Sequence, residues 1–249
     1  MRAEPGIVLA IVMTLTGCAT TGEPTATPEN IDQAASLNLQ LGIGYMQKGL
    51  LDVALEKLKK AISFEPDYPE AYNALGVLYE QLDEPALAEA HYLKAMTLNT
   101  QYGLARLNHG RLLCQRGATA EGEAQILDTL RSMPLDSPDS AYIGAGECRL
   151  EQGDTDQAER YFRRALELNP NAGEALLAMA RLSYNRSELL PSRAFLNRYH
   201  NVASFSAASL ALGIEIEQAL GDTKTSQQYR QLLTRQFADS VEARQVGMP

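Results

Sequence analysis

Six side chains in this sequence could serve nucleophilic, metal or redox chemistry: Cys18, Cys114 and Cys148, with His91, His109 and His200. An activated thiol needs a base beside it, and a structural zinc needs four ligands at short spacings. Neither pattern is present: no second Cys or His completes a metal set around Cys114 or Cys148, and the three histidines have no apparent triad partner. Each histidine reads as a packing or surface residue. Carboxylates are plentiful, but none forms a pair set apart from the surface. Gly-x-Ser-x-Gly, His-Glu-x-x-His and a phosphate loop are all missing. Gly42-x-Gly44 and Gly144-x-Gly146 resemble nucleotide loops only until the helical pattern around them is read. The chain is therefore read as no enzyme, with no catalytic residue, metal site or cofactor.

The chemistry that the sequence does support sits at its start. Arg2 precedes an apolar stretch, Ile7 to Leu15, followed by Leu15-Thr16-Gly17-Cys18. A span needs about twenty apolar residues, so this stretch suits the core of a signal peptide instead. The tetrad resembles the bacterial lipobox, which implies that residues 1–17 are removed and that Cys18 receives a diacylglycerol thioether and an N-acyl chain. Several acyl chains anchor stably where one does not. Ala19, rather than Asp, follows the Cys; by the enterobacterial sorting pattern that resembles an outer-membrane lipoprotein on the periplasmic face, carried there by the lipoprotein sorting machinery. Residues 18–27 are rich in Thr, Gly, Pro and Ala, a tether reaching about 15–20 Å as a coil. Thr27-Pro28 reads as a helix N-cap and first turn, so residues 28–249 are expected to form the folded part.

The elements behind the tether repeat. Leu41-Gly42-x-x-Tyr45 recurs 34 residues later as Leu75-Gly76-x-x-Tyr79, with Ala54 and Ala61 recurring as Ala88 and Ala95. That period and those spacings resemble the tetratricopeptide repeat. The fold expected is all-α: a right-handed superhelical solenoid of about six repeats, each an antiparallel helix pair, near 35–68, 69–102, 103–138, 139–172, 173–205 and 206–243. Repeat three is eroded, keeping Gly110, Gly122 and Pro134, and two extra residues near Leu135 to Asp139 shift the phase. Repeats five and six are weak. With the Leu-Gly pair at positions seven and eight, small residues at eight and twenty let helices approach, and bulky ones at four, seven, eleven and twenty-four fill the space between them. Pro66, Pro134 and Pro170 stop second helices. The Tyr and Leu stripe is core.

Solenoids of this kind bind partners rather than transform them. The groove of the repeat family is lined by positions two, five, nine and twelve of each first helix. Leu39, Ile43 and Met46, with Asn73, Val77, Leu107 and Ile143, are the candidate partner-binding residues. They are either open to an extended or helical peptide, or covered by the tether, or simply packed. The basic and Asn residues that hold a terminal carboxylate in chaperone-binding relatives are missing. A net charge of −9 argues against nucleic acid, and removing residues 1–17 leaves it unchanged because Arg2 and Glu4 cancel. Arg160, Arg163 and Arg164 read as a solvated face. Cys114 and Cys148 stand at similar heights on adjacent first helices. In an oxidising compartment a disulfide is favoured over two inert buried thiols, provided that Gly110, Gly144 or Gly146 permits the approach.

Lipobox, tether and six repeats in 249 residues resemble the type IV pilus pilotin family (PilF/PilW). The similarity is most specific at the end: Ser209-Leu210-Ala211-Leu212-Gly213 through Ala219-Leu220-Gly221-Asp222, then Tyr229, Leu232 and Phe237-Ala238-Asp239-Ser240-x-Glu242-Ala243. Phe195-Leu196-x-Arg198-Tyr199-His200 and Leu113-Cys114-Gln115 resemble it too, while Ala238 departs from a commoner Pro. The resemblance implies binding of the pilus secretin subunit, promotion of its outer-membrane localisation and oligomerisation, and a role in twitching motility. The alternative is a periplasmic repeat lipoprotein that scaffolds peptidoglycan enzymes or outer-membrane barrel assembly.

Overall fold

Small residues on one helix facing bulky residues on the next dictate a chain of helix hairpins, because neither helix alone can bury its apolar stripe. The computed structural model describes residues 28–132 and 137–247, and among these every regular element is helical. Six hairpins follow in order: α1 (Pro28–Gln47) with α2 (Leu51–Phe64), α3 (Pro69–Gln81) with α4 (Pro85–Leu98), and α5 (Gly103–Gln115) with α6 (Thr119–Ser132). Then come α7 (Pro138–Glu151) with α8 (Thr155–Leu168), α9 (Gly173–Asn185) with α10 (Leu189–Val202), and α11 (Ala207–Ala219) with α12 (Thr223–Gln236). Each packs on the next, giving a superhelical tetratricopeptide solenoid. Gly42-x-Gly44 lies inside α1 and Gly144-x-Gly146 inside α7. The Cys18 segment, the Thr27 cap, Pro134 and Leu135 lie outside the described residues.

The hairpins close at the small slot. A Cβ added to Gly76 would sit 2.4 Å from the ring of Tyr92, and one added to Gly146 would sit 2.6 Å from Phe162. Both rings are fully buried, so they cannot swing aside. The Tyr92 hydroxyl donates to the Glu80 carboxylate, and burial pushes the Glu80 carboxyl above its ordinary pKa.

Helix stops use more than proline. Thr100 stands where repeat two lacks the Pro, yet α4 ends on schedule because Asn99 Oδ1 accepts from the Gln101 amide at 3.0 Å. Asn169 does the same for α8, accepting from Asn171 at 3.1 Å. Such Asx turns satisfy backbone donors without a helix. Within the hairpins, Gly49, Gly117, Gly153 and Gly221 take the left-handed turn, but Asp83 and Ser187 occupy it with φ of 59° and 61°.

The two ends of the solenoid differ. After α12, a short helix α13 (Val241–Gly247) packs Ala243 against Leu210, Ile214 and Leu233 and covers the last hairpin. The repeat period alone gives no sign of this separate helix. No corresponding cover lies over α1 among the described residues.

Gly76→Ala should lower stability by about 1–3 kcal/mol, because the added methyl overpacks a buried ring. Gly44→Ala, where nothing lies within 4 Å, should instead raise it by about 0.5–1 kcal/mol. Urea denaturation followed by circular dichroism measures both, and equal responses would contradict the slot assignment.

Candidate binding surfaces

The first helices of neighbouring repeats touch along the concave side, and this corrects the groove expectation. Position five of successive helices fills the seam between them. Leu107 is 1% and Ile143 5% exposed, and Leu39 and Met46 are buried with Ala54, Leu58 and Leu75. Asn73 is buried too, its Oδ1 accepting from Asn108 Nδ2 at 3.0 Å. Leu39, Met46, Asn73, Leu107 and Ile143 are therefore core, not an exposed stripe. Val77 is half-buried, and Ile43 alone of the seven is exposed. Positional rules place a residue on the concave side but do not say how close two concave helices come.

They come closest at α5 and α7. Cys114 and Cys148 are joined as a disulfide with Cα atoms 5.2 Å apart. Gly144 permits that approach: a Cβ there would stand 3.2 Å from Arg111 Cγ and 3.3 Å from Leu107 Cδ1. Gly110 and Gly146 do not contribute, since they face Ile126 and Phe162 of their own second helices. The bridge links repeat three to repeat four where the repeat signature is eroded: His109 replaces the leucine of position seven, its Nδ1 2.9 Å from Gln125 Oε1.

The end of the array that lies uncovered among the described residues is apolar. Leu37 and Leu41 are 56% and 40% exposed. Their counterparts one repeat on, Ala71 and Leu75, are 0% exposed because α2 covers them. Gly44 and Tyr45 extend the same helix face, and a shallow cleft of about 220 Å³ runs along it, with Lys48 at its end. Groove positions alone do not point to this stacking face on α1. Its signal in the sequence is different: large apolar residues at positions three and seven of a first repeat.

Charge pairs cross the concave side farther along. Arg111 Nη2 lies 2.8 Å from Glu147 Oε2, and Arg181 Nη1 lies 2.5 Å from Glu215 Oε2. Burial raises the pKa of Glu147, with Arg111 opposing and the carboxylates of Glu174 and Glu151 reinforcing. On the opposite side, Arg163 and Arg164 pair with Glu159 and Glu167 at 2.7 Å, and Arg160 Nε donates to Gln157 at 2.8 Å. The basic run is thereby spent on its own helix. The remaining histidines pack among aromatics: His91 stacks on Tyr79 with ring centroids 5.1 Å apart, and His200 meets Phe205 edge-on at 4.7 Å. Burial lowers the pKa of both.

The family described as "TPR repeat" matches residues 44–83, and those described as "Tetratricopeptide repeat" match 69–102 and 139–182. The chain is 29% identical to the type IV pilus assembly protein PilF of Pseudomonas aeruginosa, over 97% of each chain. A solved structure from a study of Pseudomonas aeruginosa PilF superposes with a TM-score of 0.64 at 28% identity, covering 86% of this chain and 97% of that one. The structure of PilW, described as a widely conserved type IV pilus biogenesis factor, gives 0.67 at 25% identity, covering 87% and 99%.

Reducing the disulfide, or replacing Cys114 and Cys148 together by Ser, should cost about 3–4 kcal/mol, because a closed loop of 34 residues is released in the unfolded chain. Denaturant midpoints with and without dithiothreitol measure this; an unchanged midpoint would mean the bridge constrains nothing.

Proposed function

We propose that this PilF/PilW-like tetratricopeptide-repeat protein is an outer-membrane lipoprotein adaptor, a pilotin, that binds the type IV pilus secretin subunit and promotes its localisation and oligomerisation in the outer membrane. Similarity to PilF along the whole chain supports the pilus context. The observation that carries the binding reading is the stacking face of α1, which no other helix covers among the described residues. In α3, α5, α7 and α9 the preceding second helix buries both equivalent residues, and in α11 it buries Leu212 while Ala208 stays exposed. An amphipathic helix of the secretin subunit would take that vacant place, laying its apolar stripe on Leu37 and Leu41 with Ile43 at the groove edge. Fully burying a leucine is worth about 1.5–3 kcal/mol, so two half-exposed ones supply a useful part of the affinity.

The tether gives this face its address. Acyl chains at Cys18, ten residues ahead of α1 in the sequence, hold the solenoid at the membrane by its first helix. The lipoprotein sorting machinery moves the adaptor with its bound subunit to the periplasmic face of the outer membrane, where concentrated subunits assemble. Holding and delivery are then separate properties of separate residues.

Leu37→Glu with Leu41→Glu should reduce capture of the secretin subunit at least about tenfold, two buried charges being costly at an apolar contact, with little loss of stability because both sites are exposed. Cys18→Ser should leave capture intact and abolish outer-membrane secretin rings. Pull-down with mass spectrometry and membrane fractionation read the two variants. Rings forming normally in Cys18→Ser would sink the delivery step. Recovery of peptidoglycan hydrolases or barrel-assembly proteins in place of secretin would replace the partner.

A further inference from the structure

Between α7, α9 and α11 the concave side opens into a cleft of about 580 Å³. Leu150, Leu177, Ala178 and Leu212 give it apolar walls, and Glu147 and Glu174 stand among them. Its other charged lining residue, Arg181, is already committed to Glu215. Arg111 reaches Glu147 from the neighbouring repeat. Glu174 is exposed and has no ion-pair partner among the described residues, and neither does Glu151 on the adjoining turn. Of the two carboxylates that line the cleft, Glu147 is paired with Arg111, which leaves the charge of Glu174 uncompensated there, while the unpaired Glu151 lines the adjoining hollow.

Apolar walls with a surplus of carboxylate ask for a particular occupant. An acidic side chain would enter against like charge. An apolar one would fill the cleft but strip water from Glu174 without repaying it. A basic side chain satisfies both features, because its aliphatic stem packs on the leucines while its head meets the carboxylates. We propose that this cleft is a second binding site, separate from the α1 face, that takes an arginine or lysine side chain of an extended partner segment. It rests on the adaptor reading only in supposing a protein occupant. The two sites lie on different repeats and can fail independently. The sign is opposite to that of a groove built to hold a terminal carboxylate, and it restricts which segments of a partner can lie along the concave side. The expected effect of the surplus charge is on choice between segments more than on total affinity.

Fluorescence anisotropy with the full chain in detergent tests this, using labelled, end-blocked heptapeptides of alternating Ala and Leu with Arg, Glu or norleucine at the centre. The Arg peptide should bind about tenfold more tightly than the Glu peptide, a typical effect of a partly desolvated charge contact. Glu174→Gln, a change of charge at nearly constant shape on an exposed site, should narrow that ratio several-fold. Equal binding of the Arg and Glu peptides, absence of binding by all three, or a preference that survives Glu174→Gln overturns the proposal. Secretin capture is not part of the assay, so its outcome and that of the adaptor reading are separable.

Discussion

Tyr92 lies against the bare Cα of Gly76, and the other hairpins repeat this contact of a bulky residue with a small slot on its partner helix. Where the slot is glycine, no larger side chain fits without displacing a buried one. The contact holds two helices close, but it also means that a hairpin buries only part of its apolar surface internally. The rest must be covered by the next hairpin. Stability therefore runs along the array as a series of neighbour contacts, and the ends are where the series has to be terminated. At the C-terminal end α13 does so, with Ala243 seated on Leu210, Ile214 and Leu233. At the N-terminal end the described chain offers Leu37 and Leu41 to solvent.

The middle of the array is reinforced by other means. Repeat three has lost its leucine at position seven to His109, and the disulfide from Cys114 to Cys148 spans the weakened junction. Gly144 makes that junction narrow enough for the bridge. The narrowing has a consequence for binding. It closes the seam over Leu107 and Ile143, and the concave side opens again into an apolar cleft beyond α7, where carboxylates accompany the leucines. One face at the start of the array is thus apolar with a lysine at its edge, and one cleft farther along is apolar with surplus negative charge.

The repeat period, the helix pairs and the small slots are legible in the sequence because they are local: glycine and alanine at fixed offsets from bulky residues specify closely packed helix pairs. The disulfide stands among the readable alternatives, since both cysteines fall at similar heights, but which glycine allows it does not. Gly110 and Gly146 serve their own hairpins, and only the distance between α5 and α7 singles out Gly144. The groove residues are misplaced for the same reason. Position five is concave in every repeat, but whether Leu107 lines a groove or fills a seam depends on the separation of two helices 30 residues and more apart in sequence. Proline draws attention away from the helix stops at Asn99 and Asn169, although an Asx turn does the same work. Exposure of Leu37 and Leu41 follows from a fact about neighbours: no helix of the repeat array precedes them among the described residues.

Hydrogen–deuterium exchange on the full chain, alone and with the unassembled secretin subunit, tests most directly whether α1 presents an unfilled stacking face which the partner completes. Exchange in α1 from Leu37 to Gln47 should slow on binding, with α13 and the convex side unchanged. Protection confined to the second helices or to α13, with α1 exchanging as before, would contradict that role for α1.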